Sequence, residues 1–390
     1  MQIDFHYYAT YCAAYLAGYS HNECMTICYS DQFTDCCSKS FLAGIKGPLS
    51  AATTQTATEL LDVSTTVTGL QDITRIWASF HFLPGNLYAK IKKGTRMYRN
   101  KYRLICKPNG KLVGDTIELA KGKSLQAVGL SMHILADTWA HQNFAGTPSL
   151  VINNVSDFIF EIMEYDGVLN DRKIKFKHSP GGTDDIQGDT FISTVYHSSE
   201  NSIMNLGHGR AGHLPDYSFI RYKYMPAWDG YRVAIKDNPS DYYHAFCQMV
   251  YAMKYLRRVN DEFKVGVYDE ETVLPWKDRI MKILTKRQLD ASEDWKKLGE
   301  EMSGRKIEDF DENKFSSEYV SMDKESKEGT FLGKFIMAAL AQKSMVTNRI
   351  YKSGNKLAGF SIEYKGKGKA GIRDFMKLIE YIPEKTDEQD

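Results

Sequence analysis

His133, Asp137 and His141 recur at steps of four inside the apolar run from Ala127 to Phe144, and this spacing constrains the fold more than any other feature of the chain. On an α-helix each step of four advances about 400°, so the three side chains form one slowly drifting stripe. The flanking Val128, Leu130, Leu135, Trp139 and Phe144 are apolar, which draws the stripe into a core. Buried without partners, each polar group would cost on the order of 2 kcal/mol or more. Two neutral imidazoles flanking a carboxylate on one stripe are what Zn²⁺ or a similar divalent ion asks of a protein. The bland alternative is a buried histidine pair hydrogen-bonded to the aspartate.

The 390 residues, 43% of them apolar and 25% charged, suffice for a large core. They divide into a helical domain over residues 1–265 and a charged, Lys-rich mixed extension over 266–390. A formal net charge of +1 excludes a global field directed at nucleic acid or at an acidic partner. The start Met1-Gln-Ile-Asp-Phe-His lacks the basic head and apolar run of a signal peptide. No stretch reaches the ~18 apolar residues of a spanning helix. The chain therefore reads as made in the cytoplasm, with leaderless export left open. Seven cysteines, odd in number and without a Cys-x-x-Cys pair, read as reduced thiols rather than a disulfide framework.

The periodicity predicts mainly helical structure. Phe5 to Leu16 is helical, and Ser20-His-Asn-Glu23 is a capping box opening a helix through about Cys37. Gly44 to Val67, rich in Ser, Thr, Ala and Gly, suggests a loop or lid. Leu70 to Phe82 is helical and stopped by Pro84-Gly85. Tyr102–Cys106 and Leu112–Leu119 flank Pro108-Asn109-Gly110, which predicts an inserted β-hairpin. The stripe helix follows from about Ser124 to Asn143, then an apolar segment from Val151 to Tyr165. His178 to Asp189 reads as a polar loop, and Gly207 to Asp216 is too rich in Gly and Pro for regular helix. Asp241 to Val259 is helical, Phe331 to Ala341 is an amphipathic helix, and a short strand pair is expected near Gly359 to Tyr364.

Six of the ten histidines stand in settings suited to ligation: His6 beside Asp4, His81 at a helix end, His133 and His141 on the stripe, and His208 and His213 near Asp216. With Asp4, Asp35, Asp137 and Asp216 they offer too many donors for one ion, and two or three fit better. Asp31 competes with Asp35, and Asp35 is preferred because Gln32-Phe-Thr-Asp precedes a cysteine-rich turn. His21, next to a helix cap, reads as exposed. His178, His197 and His244 have no local companions.

In its order of ligands, over roughly residues 4–216, the chain resembles the zinc-dependent phospholipase C superfamily, which includes the single-strand-specific zinc nucleases. The His-x-x-x-Asp-x-x-x-His form is also similar to the catalytic domain of glycosylphosphatidylinositol-specific phospholipase D. The opening Asp-Phe-His-Tyr-Tyr resembles an uncharacterised bacterial family, which supplies no function. The superfamily resemblance implies a helical domain with three zinc ions at the base of a cleft, and phosphodiester hydrolysis. It implies Asp35, His81, His133 and Asp137 on one ion, and His141, His208 or His213, and Asp216 on its partner. Asp4 and His6 would hold a third, with Asp137 bridging and Asp35 orienting the attacking water. Relatives often use the free amine of an N-terminal tryptophan as a ligand. Here the chain begins with Met1, and Asp4 is expected in that role.

A phospholipid is the expected substrate. Aromatic content is high at 12%, and between Ala341 and Glu380 nine basic residues face three acids. Lys343, Arg349, Lys352, Lys356, Lys365, Lys367, Lys369, Arg373 and Lys377 could dock on anionic membrane, at about 1 kcal/mol per residue. A solvated charged face is the alternative. No basic–aromatic interleaving near the motif residues gives a specific nucleic-acid signal, so a single-strand nuclease stands second. A non-catalytic, metal-stabilised binding protein stands third.

Overall fold

The computed structural model describes residues 1–92, 94–177, 182–192 and 202–360. Its axis is the stripe helix. The N-terminal half supplies a π-helical turn (Asp4–Ala9) and helices α1 (Thr10–Leu16), α2 (His21–Phe33), α3 (Lys39–Gly44), α4 (Ala57–Val63), α5 (Val67–Phe80), α6 (Arg96–Tyr102), α7 (Lys111–Ala120), α8 (Leu125–Ala140) and α9 (Leu150–Asn153). After the sheet come α10 (Asn238–Leu256), α11 (Glu270–Val273), α12 (Lys277–Thr285), α13 (Ser292–Ser303), α14 (Ser316–Ser321) and α15 (Phe331–Lys352). The fold is mainly α, as the periodicity predicts.

Helix α8 starts where Ser124 caps it by accepting from Ala127 N–H, and every residue from Gln126 to Ala140 is buried. Helices α2, α10, α15 and α7 surround it. The closest approach is to α2, where a Cβ on Gly129 would lie 2.2 Å from the Ile27 carbonyl oxygen, so only glycine allows this packing. Trp139 Nε1 donates to Gln248 on α10 at 2.9 Å, and Gln342 on α15 donates to Thr116 on α7 at 3.0 Å. These buried polar pairs set the neighbours' register, because a slip would leave each group unsatisfied.

Between α9 and α10 the chain forms a four-stranded antiparallel sheet, in the order β2-β1-β5-β6. Its strands are β1 (Phe160–Tyr165), β2 (Val168–Lys173), β5 (Arg221–Tyr224) and β6 (Ala234–Asp237), with a parallel pair β3 (Lys175–Lys177) and β4 (Thr190–Ile192) beside it. Phe160 pairs with Lys173 and Lys223, and Tyr222 with Lys236. A second apolar core of Phe82, Cys106, Phe144, Phe191, Leu214, Tyr222 and Tyr224 joins this sheet to the helices.

Several expectations are corrected. The hairpin is not at Tyr102–Leu119, which runs from the last residue of α6 through a connection with Asn109 at φ 60° into α7. Leu112, Val113, Thr116, Ile117 and Ala120 are buried at helical spacing, and the turn residues break a helix rather than reverse a strand. The β-hairpin lies at β1–β2, with Asp166 and Gly167 between the strands, both at positive φ. Gly44 to Val67 holds α4 as well as loop, and α15 runs to Lys352 rather than Ala341. Residue 265 is not a boundary of packing: Trp295 meets Phe5 and Phe246, with ring centroids at 6.1 and 5.6 Å, inside the core that also buries Phe335 and Val346. All seven cysteines are free thiols. Among the described residues no helix is long and apolar enough to cross a membrane. His178, His197 and the tail basic residues Lys365, Lys367, Lys369, Arg373 and Lys377 lie outside the described residues, as does most of the expected strand pair.

Candidate metal centre

Five segments converge on the inner face of α8. The helix itself presents His133 and Asp137 on successive turns, and His141 is its C-cap residue. The π-turn, a helical form frequent at functional sites, buries His6. Helix α2 brings Asp31, and the turn after it Asp35. His81 is the C-cap of α5. Two 3₁₀ turns, Gly209–Ala211 and Leu214–Asp216, bring His208 and Asp216 to the centre.

Asp137 is the hub. Its Oδ1 accepts from the Met1 amino group at 2.9 Å and lies 3.2 Å from His6 Nε2. Its Oδ2 lies 3.2 Å from both His81 Nδ1 and His133 Nε2. Those two nitrogens are 3.2 Å apart, and each is 3.7 Å from Asp35 Oδ1. Across the centre, Asp216 Oδ1 lies 3.2 Å from His141 Nε2 and 3.2 Å from the Met1 amine, while its Oδ2 lies 3.4 Å from His208 Nε2.

The outer nitrogens decide the tautomers. His81 Nε2 faces the Thr53 carbonyl at 3.0 Å, His141 Nδ1 the His81 carbonyl at 2.8 Å, and His208 Nδ1 the Gly212 carbonyl at 2.6 Å. A carbonyl can only accept, so each outer nitrogen carries the proton and each inner one keeps its lone pair. His133 Nδ1 is held in the same way by Asp31 Oδ1 at 3.2 Å. That oxygen also lies 2.8 Å from His6 Nδ1, in a poorly aligned contact, while Thr10 donates to Asp31 Oδ2 at 2.7 Å. Metal-ligating histidines characteristically have this outer acceptor, which fixes the ring and raises its basicity.

His81 Nδ1, His133 Nε2, Asp137 Oδ2 and Asp35 Oδ1 are thus four electron-pair donors facing one point, an arrangement that requires positive charge among them. Their spacings of 3.2 to 3.7 Å match the roughly 3.3 Å edge of a tetrahedron with zinc-length bonds of about 2.0–2.1 Å. The donor set fits a divalent cation. In the protein alone, protons supply that charge. Burial disfavours a charged His133, but Asp137 and Asp35 outweigh it and push the ring up to about 10. The Met1 amine is likewise pushed up to about 11, burial being overcome by Asp137, Asp216 and Asp35. His208 falls to about 4, because burial outweighs the attraction of Asp216. Asp137 and Asp216 stay well below the usual carboxylate range despite burial, held by the neighbouring rings and the Met1 amine.

Of the residues expected at the centre, the fold brings together His6, Asp35, His81, His133, Asp137, His141, His208 and Asp216. Asp4 is not among them. Its carboxylate turns outward to accept from Phe5 N–H at 2.7 Å and Ala291 N–H at 3.1 Å, and the Met1 amine stands in the place expected for it. His213 remains at the rim, with its side chain 54% exposed and 3.6 Å from Asp216, so His208 is the inward histidine. Asp31 and Asp35 are both present in different roles: Asp31 holds the outer nitrogens, and Asp35, with its side chain 33% exposed, faces the inner ones. The three carbonyl acceptors had no signal in the sequence, because backbone groups carry none, whereas the use of an N-terminal amine by relatives was the one pointer to the Met1 amine. His21 sits apart, bonded to Tyr11 Oη at 2.8 Å.

The profile of a family of unknown function, DUF6765, matches residues 1–350. The chain belongs to this family. No curated protein and no solved structure matches it. The DUF6765 span includes every donor of the centre and nearly all of α15, so the family unit is the whole helical core rather than the ligating segment alone.

Proposed function

We propose that the protein is a metal-dependent phosphodiester hydrolase of the phospholipase C type, acting on phospholipid head groups through two or three divalent ions, zinc foremost. The observation that carries this reading is the junction of two donor sets on Asp137, with a third set of His141, His208 and Asp216 across the centre, beside a carboxylate, Asp35, that still reaches solvent. A purely structural zinc site closes all its positions with protein ligands, whereas a catalytic one leaves a position open, as the three-residue set of His141, His208 and Asp216 would. Bound ions would supply Lewis-acid polarisation of a phosphoryl oxygen and a lowered pKa for water.

The chain's own residues do the rest. Asp137 ties the sets at fixed spacing, since its two oxygens face different histidines. Asp31 and the carbonyls of Thr53, His81 and Gly212 keep the rings in the ligating tautomer. Asp35 is positioned to orient water and accept its proton. Purified protein is expected to carry two to three equivalents of zinc by elemental analysis and to release p-nitrophenol from p-nitrophenyl phosphocholine. Less than one equivalent, with no gain in thermal stability on adding zinc, removes the reading. Cleavage of single-stranded DNA with none of any phospholipid transfers the site to the nuclease class.

A further inference from the structure

From Ile73 to Gly114 the chain contains ten Lys or Arg and no Asp or Glu, although acids and bases are nearly equal overall at 49 and 50. The fold gathers half of these bases around one open pocket of about 570 Å³. Lys90 and Lys92 come from the segment before α6, and Arg96, Arg99 and Arg103 follow one stripe at spacings of three and four along α6 and its C-cap. Asn100, Ser353 and Gly354 complete the polar lining, and no carboxylate takes part. None of the lining residues belongs to the metal centre.

The absence of any acid among five gathered bases sets this pocket apart. Elsewhere Arg172 and Arg287 pair with Glu161, Arg279 with Glu301, Lys236 with Asp241 and Arg349 with Asp115. Among the described residues Lys90, Lys92, Arg96 and Arg99 have no ion-pair partner, and all four are exposed. Arg103 alone is tethered, its Nε donating to the Ala89 carbonyl at 3.2 Å. Like charges held this close repel one another, and an anionic ligand relieves the repulsion. Two side chains that neighbour the cations in the chain, Tyr88 at 65% and Met97 at 55%, are exposed and apolar in their bodies. Cations with an adjacent aromatic and an aliphatic side chain match the phosphate and interfacial layers of an anionic bilayer.

We infer that this pocket is a docking site for anionic phospholipid membrane, taking a lipid phosphate among Lys90, Lys92, Arg96, Arg99 and Arg103. It differs from the C-terminal basic patch suggested by composition. In that patch Lys343 donates to the Ser50 carbonyl at 2.7 Å and Arg349 pairs with Asp115 at 3.0 Å, so both are engaged within the fold. The docking inference does not depend on the hydrolase reading. Vesicle binding without phosphodiester cleavage would retain one and remove the other, and cleavage of a soluble ester without vesicle binding would do the reverse.

The test is co-sedimentation of the full chain with phosphatidylcholine vesicles containing or lacking phosphatidylserine. The expected result is at least about tenfold tighter binding to the anionic vesicles, weakening as salt rises. The triple charge reversal Lys92→Glu, Arg96→Glu, Arg99→Glu should reduce that binding by about 30-fold or more with an unchanged melting temperature, since all three side chains are exposed. A matched reversal of the exposed Lys282, Arg305 and Lys324 should leave binding near wild type. Equal binding to both vesicles, or equal losses in the two triple variants, overturns the inference. So does pyrophosphate or single-stranded DNA binding at the same residues without vesicle preference, which would make the pocket a soluble-phosphate or nucleic-acid site.

Discussion

Asp137 illustrates how much one side chain can decide. Its oxygens face His6 and the Met1 amine on one side, and His81 and His133 on the other, so the carboxylate joins what would otherwise be separate donor sets. Asp137→Asn is expected to remove at least one metal equivalent and to lower phosphodiester hydrolysis by more than about 100-fold, read by elemental analysis and turnover on the same preparation. His21→Ala should leave metal content unchanged and cost about 1 kcal/mol, the worth of the bond to Tyr11. Asp4 gives a different kind of test. Burial raises its carboxyl from 3.8 to about 6, opposed by the Ala291 N–H. The folded protein therefore holds that proton longer than the unfolded chain, and stability falls as pH rises between about 4 and 6, by about 3 kcal/mol in all. Asp4→Asn has no such charge to bury. Whatever it loses by giving up one acceptor, its urea stability relative to wild type should improve from pH 4 to pH 7. A difference that stays constant with pH would show that Asp4 ionises as easily in the folded protein as in the unfolded chain.

At the level of elements, the centre depends on how closely α2 and α8 approach. Asp31 reaches His133 only because Gly129 lets the Ile27 turn lie against α8. Gly129→Ala is expected to cost about 1–3 kcal/mol by overpacking and to weaken zinc affinity about tenfold or more as Asp31 withdraws. Gly114→Ala is the control. It lies on α7, where a Cβ would meet only Val265 Cγ1 at 3.7 Å, so stability should stay level or rise by up to about 1 kcal/mol. Chemical denaturation and zinc titration of both variants check this, and equal loss of zinc affinity in both would detach the ligands from the helix pairing. The same stretch shows where periodicity misleads. Pro108-Asn109-Gly110 is a turn signal that serves a hairpin or a helix start equally well, and the buried spacing of Leu112, Thr116 and Ile117 settles it as a helix start.

For the whole molecule, the charged C-terminal third looks separable in composition but is not separable in packing. Helix α15 lies against α5 and α8, and Phe335, Val346 and Ile350 are fully buried there. A chain ending before Thr330 should lose its cooperative unfolding transition, and with it activity on soluble and vesicular substrates alike, because large apolar faces of α5 and α8 would be exposed. Circular dichroism melts decide this. A truncated chain that melts cooperatively near the wild-type temperature would restore the view of an appendage.

What the sequence determined by itself was whatever local spacing encodes. His133, Asp137 and His141 announce a ligand stripe because helical periodicity is a property of neighbours, and the Ser20 capping box and mainly helical content follow from the same local rules. His6, Asp35, His81, His208 and Asp216 were legible as residue types suited to ligation, but not as one centre. Tertiary structure alone decided that Asp31 holds rings while Asp35 faces the donors, that His208 and not His213 turns inward, and that the Met1 amine stands where Asp4 was expected. The physical reason is that these outcomes are distances between groups as much as 215 positions apart in the chain, Met1 and Asp216. They are set by helix approach, buried register and backbone acceptors, none of which leaves a trace in the order of side chains.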